Sequence, residues 1–169
     1  RGGAGEGAAG LPSRAELEAA PLEGPAARPP GLRSPFGLIE ELLASDPWRL
    51  LATCLLLNRT GRVVVDRLLP GLFGRWPDAA ALLRGDAAEL QRLLEPLGMH
   101  RKRSHMLRRF SREYLEATEK AGLPLSHECV RGLHSVGRYA CDAYRIFVLG
   151  EIDTVQPTDI YLGWFVEHH

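Results

Sequence analysis

The sequence predicts an all-α protein. Apolar residues recur three and four positions apart along most of the chain, which places them on one face of a helix. Serine, aspartate or proline stands in front of several of these stretches, as at natural helix starts. No stretch alternates apolar and polar residues in the way that a half-buried strand does. With 169 residues and a hydrophobic fraction of 45%, the chain is long enough for one domain with a substantial core.

The folded domain is expected to begin at Ser34. Residues 1–33 are rich in Gly, Ala, Pro and Arg and nearly lack large apolar side chains, so they cannot bury enough surface to offset the entropy of ordering. We therefore expect residues 1–33 to be disordered and residues 34–169 to form the domain. The chain starts with Arg1 rather than methionine, so we also expect it to be a fragment of a longer protein.

The first two helices are predicted from their start signals. Ser34 and Pro35 predict a helix that has serine as its cap and continues to Leu43. An Asp-Pro pair repeats the signal directly before residues 48–57, which are apolar on nearly every side. Such a helix belongs at the centre of an all-α core. The polar residues 58–61 are expected to end it.

Further helices are predicted in the middle of the chain. Residues 63–73 form one, which Pro70 is expected to kink or end. Asp78 caps a short helix, and Asp86 opens a capping box for the next. Residues 100–119 form a long basic helix that turns its apolar residues inward.

Residues 126–148 predict a helix, a hairpin and a second helix. Ser126 caps the first helix, and residues 134–137 are too few for anything but a tight turn. Backbone N–H groups at the start of the second helix suit a phosphate, and Arg138 stands beside them. A closing helix over residues 160–166 ends the chain.

The hairpin unit and the carboxylate that follows it resemble the helix-hairpin-helix DNA glycosylases. Within them, the chain is most similar to the methyl-CpG-binding domain protein four family, whose glycosylase domains excise mismatched thymine and uracil. The resemblance covers roughly residues 34–169 and implies the helix-hairpin-helix DNA glycosylase fold. It rests on these matched segments in the same order: Ser34-Pro35-Phe36, Asp46-Pro47-Trp48, Leu57-Asn58-Arg59-Thr60, Pro96-Leu97-Gly98, residues 133–147 and the Val-x-Pro-x-Asp run 155–159.

The resemblance implies that Asp159 is the catalytic residue. Cleavage of the bond between base and sugar builds positive charge on the sugar, so a carboxylate there stabilises the transition state or activates water. Taken alone, the tripeptide Pro157-Thr158-Asp159 also fits an ordinary helix start, where acidic residues are common.

Tyr139 and Glu40 are the expected residues of the base pocket. Tyr139 matches the position where lyase-competent relatives carry a Schiff-base lysine, and a phenol cannot form an imine. The resemblance therefore implies a glycosylase without lyase activity. Glu40 matches a glutamine that helps to read the pyrimidine edge in this family.

The remaining candidate residues are expected to contact DNA. Arg59 matches the arginine that fills the gap left by the extruded nucleotide, and Met99 matches the apolar wedge. The hairpin is expected to hold a phosphate. Its candidate residues are Ser135, Val136, Gly137 and Arg138.

Three residues depart from the family pattern. Ser135 replaces the first hairpin glycine and carries strain if its φ is positive. Glu40, when ionised, only accepts hydrogen bonds, whereas glutamine also donates them. Ile160 replaces a histidine that commonly follows the catalytic aspartate. These departures leave open a weakened or altered enzyme.

Charge, cysteine content and hydropathy indicate which binding partners and cofactors to expect. The net charge is zero, but six basic residues lie within residues 101–112, where they predict a phosphate-facing surface or a solvated helix face. The three cysteines fit neither a zinc site nor an iron–sulfur cluster, so we expect no metal and no cofactor. No apolar run reaches the roughly 18 residues of a membrane span, so no membrane partner is expected.

The sequence thus predicts a monofunctional DNA glycosylase that excises thymine or uracil mispaired with guanine, in base excision repair of deaminated CpG sites. We expect it to act as a monomer on double-stranded DNA in the nucleus. Two alternatives remain open. The first is a weakened or inactive DNA-binding module that retains the hairpin, and the second is a glycosylase of the same fold with another lesion preference.

Overall fold

The computed structural model describes residues 34–169, and the segment 1–33, predicted to be disordered, lies outside them. The described residues form nine α-helices and two 3-10 turns and contain no β-strand, so the all-α prediction is confirmed. The α-helices are α1 Ile39–Leu43, α2 Pro47–Leu57, α3 Arg62–Arg75, α4 Ala79–Arg84, α5 Ala87–Leu94, α6 His100–Ala121, α7 His127–Gly132, α8 Arg138–Phe147 and α9 Ile160–His168; the 3-10 turns are Glu95–Leu97 and Ile152–Thr154.

Helix α2 lies at the centre of the core, as its composition predicts. Every residue from Trp48 to Leu56 is buried, and the helix packs against α1, α3, α6 and α8. Its start follows the predicted signal, because Asp46 accepts a hydrogen bond from the Arg49 N–H at 3.0 Å and Pro47 occupies the first helical position.

The long helix α6 organises the other side of the molecule. Helices α4 and α5 pack against it, and each begins at its predicted aspartate cap, Asp78 or Asp86. Leu107 and Phe110 of α6 are fully buried. The described helices include none that is both long enough and apolar enough to cross a bilayer.

The hairpin unit packs α8 onto α2 and α1. Ser126 caps α7 as predicted, and Phe147 at the end of α8 packs against Phe165 of α9 in a tilted arrangement with 4.7 Å between ring centroids. The Glu113 carboxylate of α6 accepts the backbone N–H of His134 at 2.6 Å. The hairpin is therefore fastened both to the core and to the long helix.

One local prediction is wrong, and one of the two alternatives expected at Pro70 is excluded. Ser34 does not cap a helix, because α1 begins only at Ile39 and the Glu41 carboxylate accepts hydrogen bonds from the Ser34 N–H and hydroxyl and from the Leu38 N–H. Pro70 does not end α3, which continues to Arg75. Buried leucines on both sides of Pro70 offset the hydrogen bond that it lacks.

The basic stretch of α6 is not a uniform phosphate-facing surface. Arg103 is buried, and Arg108 donates three hydrogen bonds to backbone carbonyls of residues 82–85. Arg109 pairs with Glu113 one helical turn away, at 2.9 Å. Half of the six basic side chains thus form hydrogen bonds within the protein, because carbonyls of neighbouring elements and one carboxylate of α6 itself accept from them.

Candidate active site

A cavity of about 500 Å³ opens where the hairpin meets the end of α2 and the starts of α1 and α9. This volume falls in the range of small-ligand sites. Seven of the nine predicted site residues line it, although they come from four separate parts of the chain. These are Glu40, Arg59, Ser135, Gly137, Arg138, Tyr139 and Asp159.

Glu40 and Tyr139 form a hydrogen-bonded pair in the cavity wall. Glu40 is the second residue of α1 and is only 4% exposed, and the Tyr139 hydroxyl at the start of α8 donates to its Oε1. Burial raises the pKa of the Glu40 carboxyl, and the nearby Asp159 charge adds to that rise, while the Tyr139 hydroxyl and Arg62 oppose it. The Tyr139 pKa is also raised, chiefly by burial and then by Glu40. Burial thus makes both groups harder to ionise than they are in water.

Asp159 lies at the start of α9 with its side chain fixed by the backbone. Its Oδ1 accepts hydrogen bonds from the N–H groups of Tyr161 and Leu162, each at 3.0 Å. Asp159 is thus the N-cap of α9 and also lines the cavity. The expectation that Asp159 starts a helix is therefore correct. The two amide hydrogen bonds also fix its carboxylate beside the Glu40 and Tyr139 pair.

Arg59 and Met99 occupy two exposed turns. Both have left-handed backbones, with φ of 58° at Arg59 and 48° at Met99. Arg59 follows the end of α2 and lines the cavity, whereas Met99 directly precedes α6, is 55% exposed and does not line it. Left-handed backbone is uncommon outside glycine and marks turns that surrounding structure must hold.

The hairpin has the geometry on which the strain argument depends. Ser135 has φ of 62°, the left-handed region in which a glycine costs less. Gly137 is the N-cap residue of α8. Because glycine has no side chain, the cap residue offers no side-chain acceptor to the backbone amides of the first turn. A Cβ added at Gly137 would meet no atom within 4 Å, so the space in front of it is open.

Two hairpin residues make contacts within the protein. Val136 packs against the hydrophobic core and does not line the cavity. Arg138 is exposed, and its guanidinium donates to the Gln156 carbonyl at 3.0 Å and lies 3.5 Å from the Asp142 carboxylate. Arg138 therefore ties the start of α8 to the loop that leads to Asp159.

The cavity also contains residues that the sequence analysis missed. Cys54 of α2 lies in the wall, and burial, followed by the Glu40 charge, raises its pKa well above the ordinary thiol value. Arg62 opens α3 and pairs with Asp66 at 3.1 Å. Cys54 looked like a plain core residue because it belongs to an apolar helix, and only its i+4 neighbour, the polar Asn58, hinted at a cavity. Residues 34–169 hold no cluster of three or more His, Cys, Asp or Glu side chains able to bind a metal ion.

Fold and site together define a helix-hairpin-helix protein with the DNA glycosylase fold. The solved structure of a thermostable thymine-DNA glycosylase matches with a TM-score of 0.57 and 23% identity, over 62% of this chain and 48% of that one. This likeness confirms the predicted fold.

Sequence comparison identifies the relatives. The chain is a homologue of the methyl-CpG-binding domain protein 4-like protein of Arabidopsis thaliana, with 39% identity over 136 residues, and the family resemblance predicted from the sequence is thereby confirmed. It is also 28% identical over 108 residues to the thymine/uracil-DNA glycosylase of Pyrobaculum aerophilum. These alignments cover 80% and 64% of this chain but only 29% and 46% of the two relatives, so the chain spans less than half of either. No protein-family profile matches it.

Proposed function

We propose that the chain is a DNA glycosylase that removes thymine or uracil mispaired with guanine. One observation carries the proposal: a single cavity brings the hairpin, the Glu40 and Tyr139 pair and the Asp159 carboxylate together. The comparisons support it, because one relative and the similar solved structure are named as glycosylases acting on thymine.

The proposed reaction begins when the target nucleotide leaves the base stack and its base enters the cavity. Extrusion is required because a base inside the duplex cannot reach an enclosed site. In this proposal Tyr139 lies against the base and Glu40 contacts its polar edge. A neutral Glu40 carboxyl both donates and accepts hydrogen bonds, as a glutamine side chain does. Because burial raises the pKa of Glu40, this neutral form is reached more readily than in an exposed glutamate, which lessens the departure from the family's glutamine.

Asp159 is the proposed catalytic residue. Its carboxylate stabilises the positive charge that develops on the sugar as the glycosidic bond stretches, or activates the attacking water. The two amide hydrogen bonds to its Oδ1 hold the group before the reaction begins, so little reorganisation is needed.

Residues of the two exposed turns and of the hairpin are proposed to hold the surrounding DNA. Arg59 is proposed to fill the space left by the extruded nucleotide, and Met99 to insert beside it as an apolar wedge. The first-turn amides of α8 and the hairpin residues are proposed to hold a phosphate. We propose that the protein acts as a monomer, on nuclear DNA.

The proposed enzyme has no lyase step. Among the described residues, those that line the cavity include no lysine, and Tyr139 cannot form an imine with the sugar. Strand breaks should therefore appear only when alkali cleaves the abasic product.

The test is a panel of duplexes that carry G:T, G:U, A:T and other lesion pairs, each incubated with the protein and then analysed with and without alkali. Excision from G:T and G:U, with breaks after alkali only, would support the proposal. Excision confined to another lesion would favour the same fold with a different preference. Binding without any excision would favour the DNA-binding module, for which the left-handed Ser135 and the Ile160 replacement are the observations in favour.

A further inference from the structure

One buried arginine, Arg103, joins two turns that lie far apart in the sequence. Only 5% of Arg103 is exposed, although it stands in the first turn of α6. Its Nε donates to the Gly98 carbonyl at 3.0 Å, and its Nη1 donates to the Leu56 carbonyl at 3.1 Å. Its Nη2 donates to the Asn58 carbonyl at 3.3 Å and to the Thr60 hydroxyl. The guanidinium thus binds acceptors at the end of α2 and in the turn before α6 at the same time.

The residues it holds are the immediate neighbours of Arg59 and Met99. Asn58 and Thr60 stand on either side of Arg59, and the carbonyl bound by the Arg103 Nε belongs to the residue before Met99. Both turns place an L-residue in the left-handed region, which persists only where surrounding contacts determine the backbone. Arg103 supplies such contacts to both.

We propose that Arg103 is a positioning residue that sets the separation and orientation of Arg59 and Met99. The proposal rests on the proposed function, in which these two side chains enter the DNA around an extruded nucleotide. A guanidinium presents five N–H donors in a rigid planar fork, so it can serve acceptors in several directions. A lysine at this position has one nitrogen and cannot span both turns, so the role requires arginine.

The same helix offers a matched control. Arg108 donates to the carbonyls of Leu82 at 3.0 Å and of Leu83 and Gly85 at 2.8 Å, and thus fastens the end of α4 as Arg103 fastens the end of α2. None of these residues lines the cavity. An Arg108→Lys variant therefore shows how much the loss of such internal hydrogen bonds on α6 changes the protein when the two turns are not involved.

The first measurement is structural and needs no activity. Spin labels attached through Arg59→Cys and Met99→Cys, in a chain with Cys129→Ser because that thiol is partly exposed, give a distance distribution between the two turns by pulsed electron resonance. Arg103→Lys should broaden or shift this distribution, and Arg108→Lys should leave it unchanged. An unchanged distribution in Arg103→Lys would overturn the proposal.

The second measurement compares two substrates in unlabelled protein. Single-turnover excision of uracil from a G:U pair should fall on the order of tenfold or more in Arg103→Lys, because a misplaced side chain loses the productive geometry. Excision from single-stranded DNA, which needs no extrusion from a stack, should fall much less. Equal losses on the two substrates, or the same pattern in Arg108→Lys, would show a merely structural role.

A further variant and the wild-type control separate the role of Arg103 from the proposed function. Thr60→Val removes one acceptor and leaves the arginine in place, so it should shift both readouts in the same direction, by less, even if Arg103→Lys does not fold. A wild-type protein without excision on either substrate would refute the proposed function, and the distance distribution would then decide the role of Arg103 by itself.

Discussion

Substitution of Glu40 by glutamine should stabilise the protein at pH values above the raised pKa of the Glu40 carboxyl, where that group is ionised. The carboxyl is 4% exposed, and its pKa is raised mainly by burial. A Glu40→Gln side chain keeps an acceptor for the Tyr139 hydroxyl and carries no charge into the wall. The Tyr139 hydroxyl and the Arg62 charge already compensate part of the burial penalty, so we expect a gain of about 1–2 kcal/mol rather than the several kcal/mol of an unpaired buried ion.

The pH dependence of this gain follows from the direction of the shift. Because the pKa of Glu40 is higher in the folded protein than the ordinary 4.5 of the unfolded chain, the folded state binds more protons between these two values. Stability therefore falls as pH rises from about 4.5 through the raised pKa, and then levels off. The Glu40→Gln variant lacks this contribution, so its advantage should be small at low pH and greatest above the raised pKa.

The assay is urea unfolding of wild type and variant at several pH values between 4 and 9. The exposed Glu116 on α6 provides a control, since Glu116→Gln should change neither the midpoint nor its pH dependence appreciably. Half-buried Asp46 and buried Asp66 also have raised pKa values, but they contribute equally to wild type and variant and cancel in the difference. A variant that is less stable at pH 8, or whose advantage does not grow with pH, would refute the reasoning.

Three further predictions concern DNA. Arg59→Ala and Met99→Ala should reduce excision from a G:U pair more than excision of an unpaired uracil, and equal losses would contradict the roles of plug and wedge. Ser135→Gly should raise stability by about 1 kcal/mol in thermal unfolding and tighten duplex binding at fixed salt, because the φ of 62° costs glycine less; unchanged affinity would show that serine suits the turn. Borohydride treatment during reaction should trap no covalent complex, since Tyr139 forms no imine, and a trapped adduct would mean that a lysine acts.

Helix caps could be predicted from the sequence because a capping residue acts only on its own neighbours in the chain. Asp46, Asp78, Asp86 and Ser126 each cap the helix that their spacing predicts, because a cap needs only the amides two or three residues ahead. The apolar run of α2 likewise predicts its burial, since nothing but a core can cover a helix that is apolar on nearly every side.

Tertiary contacts decided the places where these rules failed. Ser34 fits a cap by type, but the Glu41 carboxylate takes its hydroxyl and N–H. The sequence suggests that Arg103 and Arg108 belong to a basic surface, yet six of their seven hydrogen-bond acceptors lie more than twenty positions away. Charge along a sequence carries no information about such partners.

The candidate site was predictable only through resemblance. Periodicity and capping place Glu40, Tyr139 and Asp159 on three separate helices, and no local pattern indicates that they share a cavity. The matched motifs supplied that link. Cys54 and Arg62 carry no motif of their own, so the structure alone adds them to the site.

The central claim is that Asp159 carries catalysis, and Asp159→Asn tests it most directly. Asparagine caps helices about as well as aspartate, so the variant should keep the amide hydrogen bonds at the start of α9 and remain folded. Asp86→Asn is the matched control, because Asp86 also accepts from two backbone amides at a helix start but does not line the cavity.

The measurement is single-turnover excision from one G:U duplex, with affinity and thermal unfolding of the same variants. Asp159→Asn should lower excision on the order of a hundredfold or more while duplex affinity is kept, because only the transition state needs the charge. Asp86→Asn should excise like wild type. Near-normal excision by folded Asp159→Asn would contradict the catalytic assignment and leave Asp159 as a helix cap alone.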